Sequence, residues 1–151
     1  MRSLVIGKLI IVAMSLGVAT SLSGCVLVPF IQAFKEVGAT EGDRMSLLNQ
    51  EVKKFNAAVV WGNSTEAASF VAPESQLKIA SQFKDTTEEE RIVDSKVNNV
   101  VWSDNARGAV VEVKTKFYRV PVYVVNTRVE EQRWAWNEGS WKLVDRTLTE
   151  G

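Results

Sequence analysis

The sequence contains no histidine and a single cysteine among its 151 residues. Without histidine there can be no Ser-His-Asp triad, no Cys-His pair and no histidine-ligated zinc site. One cysteine excludes an internal disulfide and a CxxC motif. The 18 basic and 18 acidic side chains cancel at neutral pH, so the chain lacks the overall positive field of nucleic-acid-binding proteins. The sequence therefore predicts no nucleic-acid partner, no cofactor and no bound metal.

The first 24 residues have the pattern of a cleaved signal peptide. Arg2 and Lys8 form a positive leader, and residues 9–22 then run for fourteen positions without a charge. That length matches the apolar core of a secretory signal and is short for a membrane span, which needs about 20 residues. The run ends in Leu22-Ser23-Gly24-Cys25, which resembles the lipobox of bacterial lipoproteins.

The lipobox resemblance implies cleavage between Gly24 and Cys25, with a diacylglyceryl group on the Cys25 sulfur. Lipoproteins of this kind carry two or three acyl chains such as palmitate, which is enough for stable membrane anchoring. Val26, rather than aspartate, follows the cysteine. By the sorting rule of enteric bacteria this favours the outer membrane, with the protein facing the periplasm. The alternative is an N-terminal transmembrane anchor with an incidental cysteine.

Residues 25–42 are interpreted as the lipidated cysteine and an apolar tether to a domain over residues 43–151. Most lipoprotein tethers are polar, whereas Phe30, Phe34 and Val37 here recur at helical spacing. This spacing predicts a short amphipathic helix over residues 29–37 that lies on the membrane or on a partner protein. The alternative is that the segment packs on its own domain or is loosely ordered.

The domain is expected to begin with three helices. The first runs over residues 44–61 behind Asp43 as N-cap, with apolar residues at helical spacing. The second covers about 65–71 and the third about 74–83. The acidic stretch 86–90 that follows is interpreted as a solvated connection.

From residue 91 onward, β-branched and aromatic residues alternate with polar ones, which is the pattern of strands. Four strands are predicted, at about 92–102, 108–119, 122–137 and 140–148. Short turns join consecutive strands, so the sheet is expected to be antiparallel.

The third predicted strand carries two apolar sets of opposite parity. Tyr123, Val125, Thr127 and Val129 are odd-numbered, whereas Trp134 and Trp136 are even-numbered. Both sets look inward-facing, although strict alternation places them on opposite faces. An extra residue between Glu130 and Arg133, forming a β-bulge, would reconcile them and bend the sheet.

The last hairpin reads Gln-x-Trp-x-Trp-x-x-Gly-x-Trp-x-Leu, from Gln132 to Leu143. With helices first and a bent sheet after them, residues 43–149 resemble the nuclear transport factor 2-like superfamily. The resemblance implies an α+β fold in which three N-terminal helices pack on a curved four-stranded antiparallel sheet, forming a cone. The superfamily includes ketosteroid isomerases, polyketide cyclases, dehydratases and many non-catalytic proteins, so the fold does not choose the function.

Four side chains are candidates for acid, base or oxyanion chemistry in such a cone: Tyr118, Tyr123, Asp94 and Asp145. None lies in a recognisable local motif, and a strand tyrosine is usually a packed ring, so no catalytic residue is predicted. Six aromatic residues are candidates for the lining of an apolar ligand pocket: Trp102, Phe117, Tyr123, Trp134, Trp136 and Trp141. The alternative for these rings is packing in the core.

These features predict an envelope lipoprotein whose periplasmic domain binds a partner protein or a small apolar ligand without catalysis. One alternative is a structural subunit of an envelope secretion or transport assembly. The other is an isomerase- or cyclase-like enzyme acting in the cone pocket. The superfamily resemblance also implies a homodimer, because sheet faces in this superfamily often dimerise.

Overall fold

A computed structural model describes residues 37–87 and 89–150 of the chain. The signal peptide, the lipobox and all of the predicted tether helix except Val37 lie outside these residues. The helices are α1 (Glu41–Val60), α2 (Ser64–Ser69) and α3 (Gln76–Thr87), with 3-10 turns at Pro73–Ser75 and Asp104–Ala106. The strands are β1 (Glu90–Trp102), β2 (Gly108–Arg119), β3 (Val122–Asn137) and β4 (Ser140–Glu150). No helix within the described ranges is both long enough and apolar enough to cross a membrane.

The four strands form one antiparallel sheet in the order β1-β2-β3-β4. This confirms the predicted α+β class and the predicted hairpin order. The chain between α2 and α3 is attached to β4 by two backbone hydrogen bonds at Leu143. Its N–H donates to the Phe70 carbonyl at 2.8 Å, and its carbonyl accepts from the Ala72 N–H at 2.9 Å.

Helix α1 begins three residues earlier than predicted, and Asp43 is not its N-cap. Thr40 is the N-cap, and its hydroxyl accepts from the Asp43 backbone N–H at 3.1 Å. The Asp43 carboxylate in turn accepts from the Thr40 backbone N–H at 3.2 Å. This reciprocal capping box satisfies two backbone donors, which a single Asp43 cap would not.

Thr86, Thr87 and Glu90 do not belong to a solvated connection, contrary to the sequence prediction. Helix α3 continues to Thr87, and Glu90 is already the first residue of β1. The Glu90 side chain is only 7% exposed. A buried carboxylate requires a partner, and it has one on β3, as shown below.

Phe55 is at the centre of the hydrophobic core. It is fully buried on α1, and its ring contacts three others at centroid distances of 6.3 Å for Phe70, 6.1 Å for Phe83 and 5.7 Å for Trp134. These rings come from α1, the end of α2, α3 and β3. Phe55 therefore connects the helices with one face of the sheet.

From Arg128 to Trp134, the inward face of β3 carries the even-numbered residues. Trp134 is buried, and so are the even-numbered residues before it back to Arg128, whereas Tyr123 and Val125 are 72% and 55% exposed. The prediction that the odd-numbered set faces inward is therefore wrong. Strict alternation holds from Arg128 to Trp134, and three of the inward positions there are occupied by the polar side chains of Arg128, Glu130 and Gln132.

The predicted β-bulge between Glu130 and Arg133 is also wrong. Strand β3 pairs with β2 in one continuous register from Ala135 to Asn126. The extra residue lies on β4 instead: Arg133 is opposite Asp145, Trp134 is opposite Leu143, and the residue between those two partners is left over. Two further register shifts occur between β1 and β2, and another occurs between β2 and β3 at Phe117–Arg119.

Candidate functional site

Four polar side chains are buried side by side on the inward face of the sheet. Three of them are alternate residues of β3: Arg128, Glu130 and Gln132. The fourth, Arg146, lies beside them on β4, and each of the four is 2% exposed or less. Long charged side chains are almost never buried to this extent unless they are paired. Their arrangement is therefore the first place to look for function.

Glu130 binds two arginines at once. Its Oε2 accepts from Arg146 Nε at 3.0 Å and from Arg146 Nη2 at 2.7 Å. Its Oε1 accepts from Arg128 Nε at 3.2 Å and from the Thr115 hydroxyl at 3.0 Å. Both carboxylate oxygens are thus satisfied by charged or polar donors, as a buried carboxylate requires.

The surroundings of Glu130 keep it ionised. Burial by itself raises the pKa of this carboxyl, because it disfavours the charged form. The positive charges of Arg146 and Arg128, with the hydrogen bonds from Arg146 and Thr115, outweigh burial and hold the pKa below its ordinary value. Glu130 is therefore a permanent negative charge near neutral pH.

A second carboxylate extends the network to the start of β1. Glu90 Oε1 accepts from Arg128 Nη1, and Glu90 Oε2 lies 3.6 Å from Nη2 of the half-exposed Arg119. The Phe117 ring lies beneath both guanidiniums, at 4.9 Å from Arg128 and 5.1 Å from Arg119, which is cation–π distance. We call Glu90, Arg119, Arg128, Glu130 and Arg146 the charged cluster.

A hydrogen-bonded branch ties the sheet beside the cluster to α1. Gln132 Nε2 donates to Asn56 Oδ1 at 2.7 Å, and Gln132 Oε1 accepts from the Trp134 indole at 3.4 Å. Asn56 is one of the buried residues of α1. The branch fixes the position of the helix relative to β3 and so helps to define the space between the helix and β1.

A cavity of about 310 Å³ adjoins the charged cluster. We call it the α1–β1 cavity, because the end of α1 and the start of β1 both line it. Its apolar lining includes Ala58, Val59, Ala67, Phe83 and Ile92. Glu90, Arg91 and Arg146 add charge. Its volume is at the lower end of the range of about 300–1,000 Å³ that is usual for small-molecule sites.

Two buried guanidinium nitrogens of the charged cluster, Arg146 Nη1 and Arg128 Nη2, have no hydrogen-bond partner within the described part of the chain. Nearly all buried polar atoms in proteins are hydrogen-bonded, so such exceptions call for an explanation. Arg146 also lines the α1–β1 cavity. One free donor of the cluster therefore belongs to a side chain at the cavity wall.

The six predicted pocket residues fall into four places, and none of them belongs to the lining of the α1–β1 cavity. Three of them form an aromatic group: Trp102, Trp136 and Trp141. The ring centroid of Trp141 lies 6.2 Å from that of Trp102 and 5.5 Å from that of Trp136. The Trp141 indole donates to the Arg44 carbonyl at 2.8 Å. This group therefore packs against the first turn of α1.

The other three predicted pocket residues lie apart from that group. Trp134 belongs to the core around Phe55, and Phe117 lies under the charged cluster. Tyr123 is exposed and contacts Tyr118 at a centroid distance of 5.5 Å. A ligand-binding role of the six aromatic residues stays a prediction.

The candidate acid and base groups are not brought together. Asp94 is exposed, and Tyr118 packs on Tyr123. Asp145 accepts from Lys78 Nζ at 2.6 Å; this hydrogen bond is the main reason that the pKa of Asp145 is lowered, with burial opposing it. Across residues 37–87 and 89–150, no three cysteine or acidic side chains are placed to hold a metal ion.

Sequence reasoning missed the charged cluster, although one signal pointed to it. Trp134 and Trp136 are two residues apart and are typical inward-facing residues. Counting back in steps of two from Trp134 places Gln132, Glu130 and Arg128 on the same face. Their polarity conceals this face, because the apolar residues Tyr123, Val125 and Val129 of the same strand are odd-numbered.

Solved structures with the same architecture come from several bacteria. A ketosteroid isomerase-like protein from Erwinia carotovora atroseptica is 12% identical, with a TM-score of 0.58 over 70% of this chain and 94% of that chain. An NTF2-like protein from Cytophaga hutchinsonii is 12% identical, with a TM-score of 0.54 over 71% of this chain and 98% of that chain. The fold is nuclear transport factor 2-like.

A third structure with this fold is a protein of unknown function from Mycobacterium tuberculosis, 7% identical, with a TM-score of 0.56 over 71% of each chain. Neither a protein-family model nor a curated protein matches the sequence. Identities this low show the fold alone and carry no information about activity. The function has to be argued from the α1–β1 cavity and the charged cluster.

Proposed function

We propose that the nuclear transport factor 2-like domain binds a small, largely apolar ligand in the α1–β1 cavity and does not catalyse a reaction on it. The observation that carries this proposal is the position of the cavity, which has apolar walls and adjoins a paired, buried charged cluster. A general acid or base needs a pKa near the working pH. Glu130 has a lowered pKa and is ion-paired with two arginines. These properties suit a group that holds the structure together better than a group that transfers protons.

Filling the cavity tests the binding proposal. Ile92 is half-buried in β1 and lines the cavity, so Ile92→Trp places a large ring in the space without replacing a fully buried core residue. We expect this variant to lower the affinity for N-phenyl-1-naphthylamine, a small neutral fluorescent probe, by at least about tenfold, which is about 1.4 kcal/mol. Fluorescence titration of the full chain measures it.

Val101→Trp is the matched control for the cavity variant. Val101 lies on the same strand, is 58% exposed and is not part of the cavity lining. The control should bind the probe like the unmodified chain. Equal affinities of the Ile92→Trp and Val101→Trp variants would place the probe elsewhere and contradict the proposal.

We further propose that the domain is held at the periplasmic face of the outer membrane by acyl chains on Cys25. The Leu22-Ser23-Gly24-Cys25 pattern, and the absence of any other cysteine, support this part. Cleavage before Cys25 removes 24 residues and leaves the acylated cysteine as the N-terminus. Several acyl chains, at about 0.8 kcal/mol per buried CH₂, anchor a protein stably.

Replacing the lipobox cysteine tests the anchor. We expect Cys25→Ser to abolish both the cleavage and the mass increase from acylation, because serine lacks the thiol that accepts the diacylglyceryl group. Mass spectrometry of protein from fractionated envelopes of the source bacterium measures both effects. Ser23→Ala, which keeps a small residue beside the cleavage site, is the control. Full acylation or normal processing of the serine variant would contradict the anchor.

A second candidate function is a structural subunit of an envelope assembly, and one surface favours it. Residues Val122, Tyr123, Val124 and Val125 at the start of β3 are all more than half exposed. The pairing of β4 with β3 ends at Arg128, so in the described part of the chain the β3 edge over 122–127 pairs with β2 alone. An exposed apolar edge strand is a template for pairing with another chain.

The assembly candidate has its own test. A second copy or an envelope protein that adds a strand to β3 would be displaced by Val124→Lys, which puts a charge on the apolar edge. Crosslinking in intact envelopes should then lose a specific product. An unchanged crosslinking pattern would remove this candidate without affecting the ligand-binding proposal.

A further inference from the structure

The space between α1 and β1 does not end at the α1–β1 cavity. A groove of about 520 Å³ continues along the same two elements, and we call it the α1–β1 groove. On β1, residues 90–92 line the cavity and residues 93–97 line the groove. On α1 and its C-cap, Val60 and Trp61 line both spaces. The cavity and the groove therefore meet at the end of α1.

The apolar wall of the cavity continues into the groove. Trp61 is 85% exposed and Val93 is 52% exposed, and both line the groove together with the half-buried Val60 and Val97. Single exposed apolar side chains are common on protein surfaces, whereas several that line one groove are typical of a binding site. The α1–β1 groove is therefore suited to cover an apolar part of a ligand.

The groove also offers a polar environment that the cavity ligand can reach. Three exposed charged side chains line it: Lys53, Asp94 and Lys96. Charges of both signs are present, so the groove favours a polar group in contact with water without selecting one sign of charge. A molecule that occupied both spaces would have an apolar end in the cavity and a polar end at the groove.

We propose that the ligand is a single-chain amphiphile whose alkyl chain begins in the α1–β1 cavity, passes Trp61 and continues into the α1–β1 groove. This inference rests on the proposed function and names the chemical class of its ligand. A compact molecule would occupy the cavity alone and leave Trp61 and Val93 exposed. A chain that enters the groove covers both side chains, and each methylene group that leaves water strengthens binding.

Two amphiphiles with the same head group and different tails test the inference. n-Octyl-β-maltoside and n-dodecyl-β-maltoside are uncharged, and both are used below the concentrations at which they form micelles. In calorimetric titration of the full chain we expect the dodecyl compound to bind at least about tenfold more tightly than the octyl compound. Ile92→Trp should weaken the binding of both, because it fills the cavity, and Val101→Trp should change neither.

Ala57→Trp is the variant that fills the groove. Ala57 is exposed on α1 and lines the groove but not the cavity. In variant protein whose circular dichroism matches the unmodified chain, the affinity ratio of the dodecyl to the octyl compound should fall toward one. The affinity for the octyl compound should stay the same. A ratio that remains at about tenfold or more would overturn the role of the groove.

Trp61→Ala tests the junction between the two spaces without placing anything in the groove. Removal of the ring takes away an apolar contact to the part of the chain that leaves the cavity. The variant should therefore lose more affinity for the dodecyl compound than for the octyl compound, and Trp61→Phe should restore most of the difference. An equal loss for both compounds would overturn the role of Trp61.

The unmodified chain decides the inference even where a variant does not fold. Equal affinities for the two maltosides would overturn it, and so would binding of neither maltoside while N-phenyl-1-naphthylamine still binds. In both cases the proposed function would stand. If none of the three molecules binds, the proposed function fails as well.

Discussion

Glu130→Gln is expected to lower the free energy of unfolding by about 3–5 kcal/mol, the usual cost of breaking a buried ion pair on one side. Glutamine has nearly the same shape, so the loss arises from charge and not from packing. Arg146 would be left buried without a carboxylate partner, because Glu130 supplies its only ion pair among the described residues. Urea unfolding monitored by circular dichroism measures the change.

Glu131→Gln is the matched control for this prediction. Glu131 is the next residue on β3, but its side chain is 53% exposed and lies 3.6 Å from the equally exposed Arg133. Exposed ion pairs contribute about 0–1 kcal/mol, so the control should unfold almost like the unmodified chain. A loss below about 1 kcal/mol in the Glu130 variant would mean that the charged cluster does not hold the sheet together.

The same carboxylate predicts how stability depends on pH. The pKa of Glu130 is lowered in the folded protein from the ordinary value of 4.5. A lowered carboxyl pKa contributes stability that is present above the unfolded value and is lost as pH falls through the folded value. The unmodified chain should therefore lose stability as pH falls below about 4.5. Glu130→Gln should lose less over that range, and parallel pH profiles would contradict this assignment.

Phe55→Ala is expected to cost about 3–5 kcal/mol of unfolding free energy, as large-to-small changes at fully buried aromatic sites do. The variant removes a ring that contacts Phe70, Phe83 and Trp134 at once. The helices and the sheet would lose their shared contact, and neighbouring rings are too bulky to fill the space. Urea unfolding again gives the measurement.

Trp61→Ala is the control for the core prediction. Trp61 follows the same helix, but its side chain is 85% exposed. Removing an exposed ring should change stability by no more than about 0.5 kcal/mol. If the two variants lost similar amounts, the core would not be centred on Phe55.

The strands could be predicted because their signals are local. The residue types around the Glu138-Gly139 turn predict a hairpin. Both residues adopt the positive φ that such a turn requires. Predicted strand bounds are within two residues of those observed at every end. Alternation of apolar and polar residues over ten or more positions predicts a strand even when the elements that pack on the sheet are unknown.

The face of β3 could not be predicted, because it depends on distant partners. Alternation identifies two faces but does not say which one the helices cover. Polar residues can be buried at Arg128 and Glu130 because their partners come from other strands. Glu90, for example, lies 38 positions away from Arg128 in sequence. No local sequence pattern predicts an ion pair between residues so far apart in the chain.

The candidate site was missed for the same reason. The predicted pocket relied on aromatic residues, which are typical of ligand sites and of cores alike. The α1–β1 cavity is lined instead by small and branched residues such as Ala58 and Ile92, with Arg146 among its charged residues. Small side chains leave a cavity because they do not fill the space between the helix and the strand. The sequence does not show which small residues lie next to one another in the fold.

Recovery of the ligand from the native envelope tests the binding proposal most directly. The lipidated full chain and its Ile92→Trp variant would be purified in parallel, and the small molecules they carry would be identified by mass spectrometry. We predict a small, largely apolar molecule in amounts close to one per chain with the unmodified protein, and none with the variant. Recovery of the same molecules from both proteins, or of none from the unmodified protein, would contradict it.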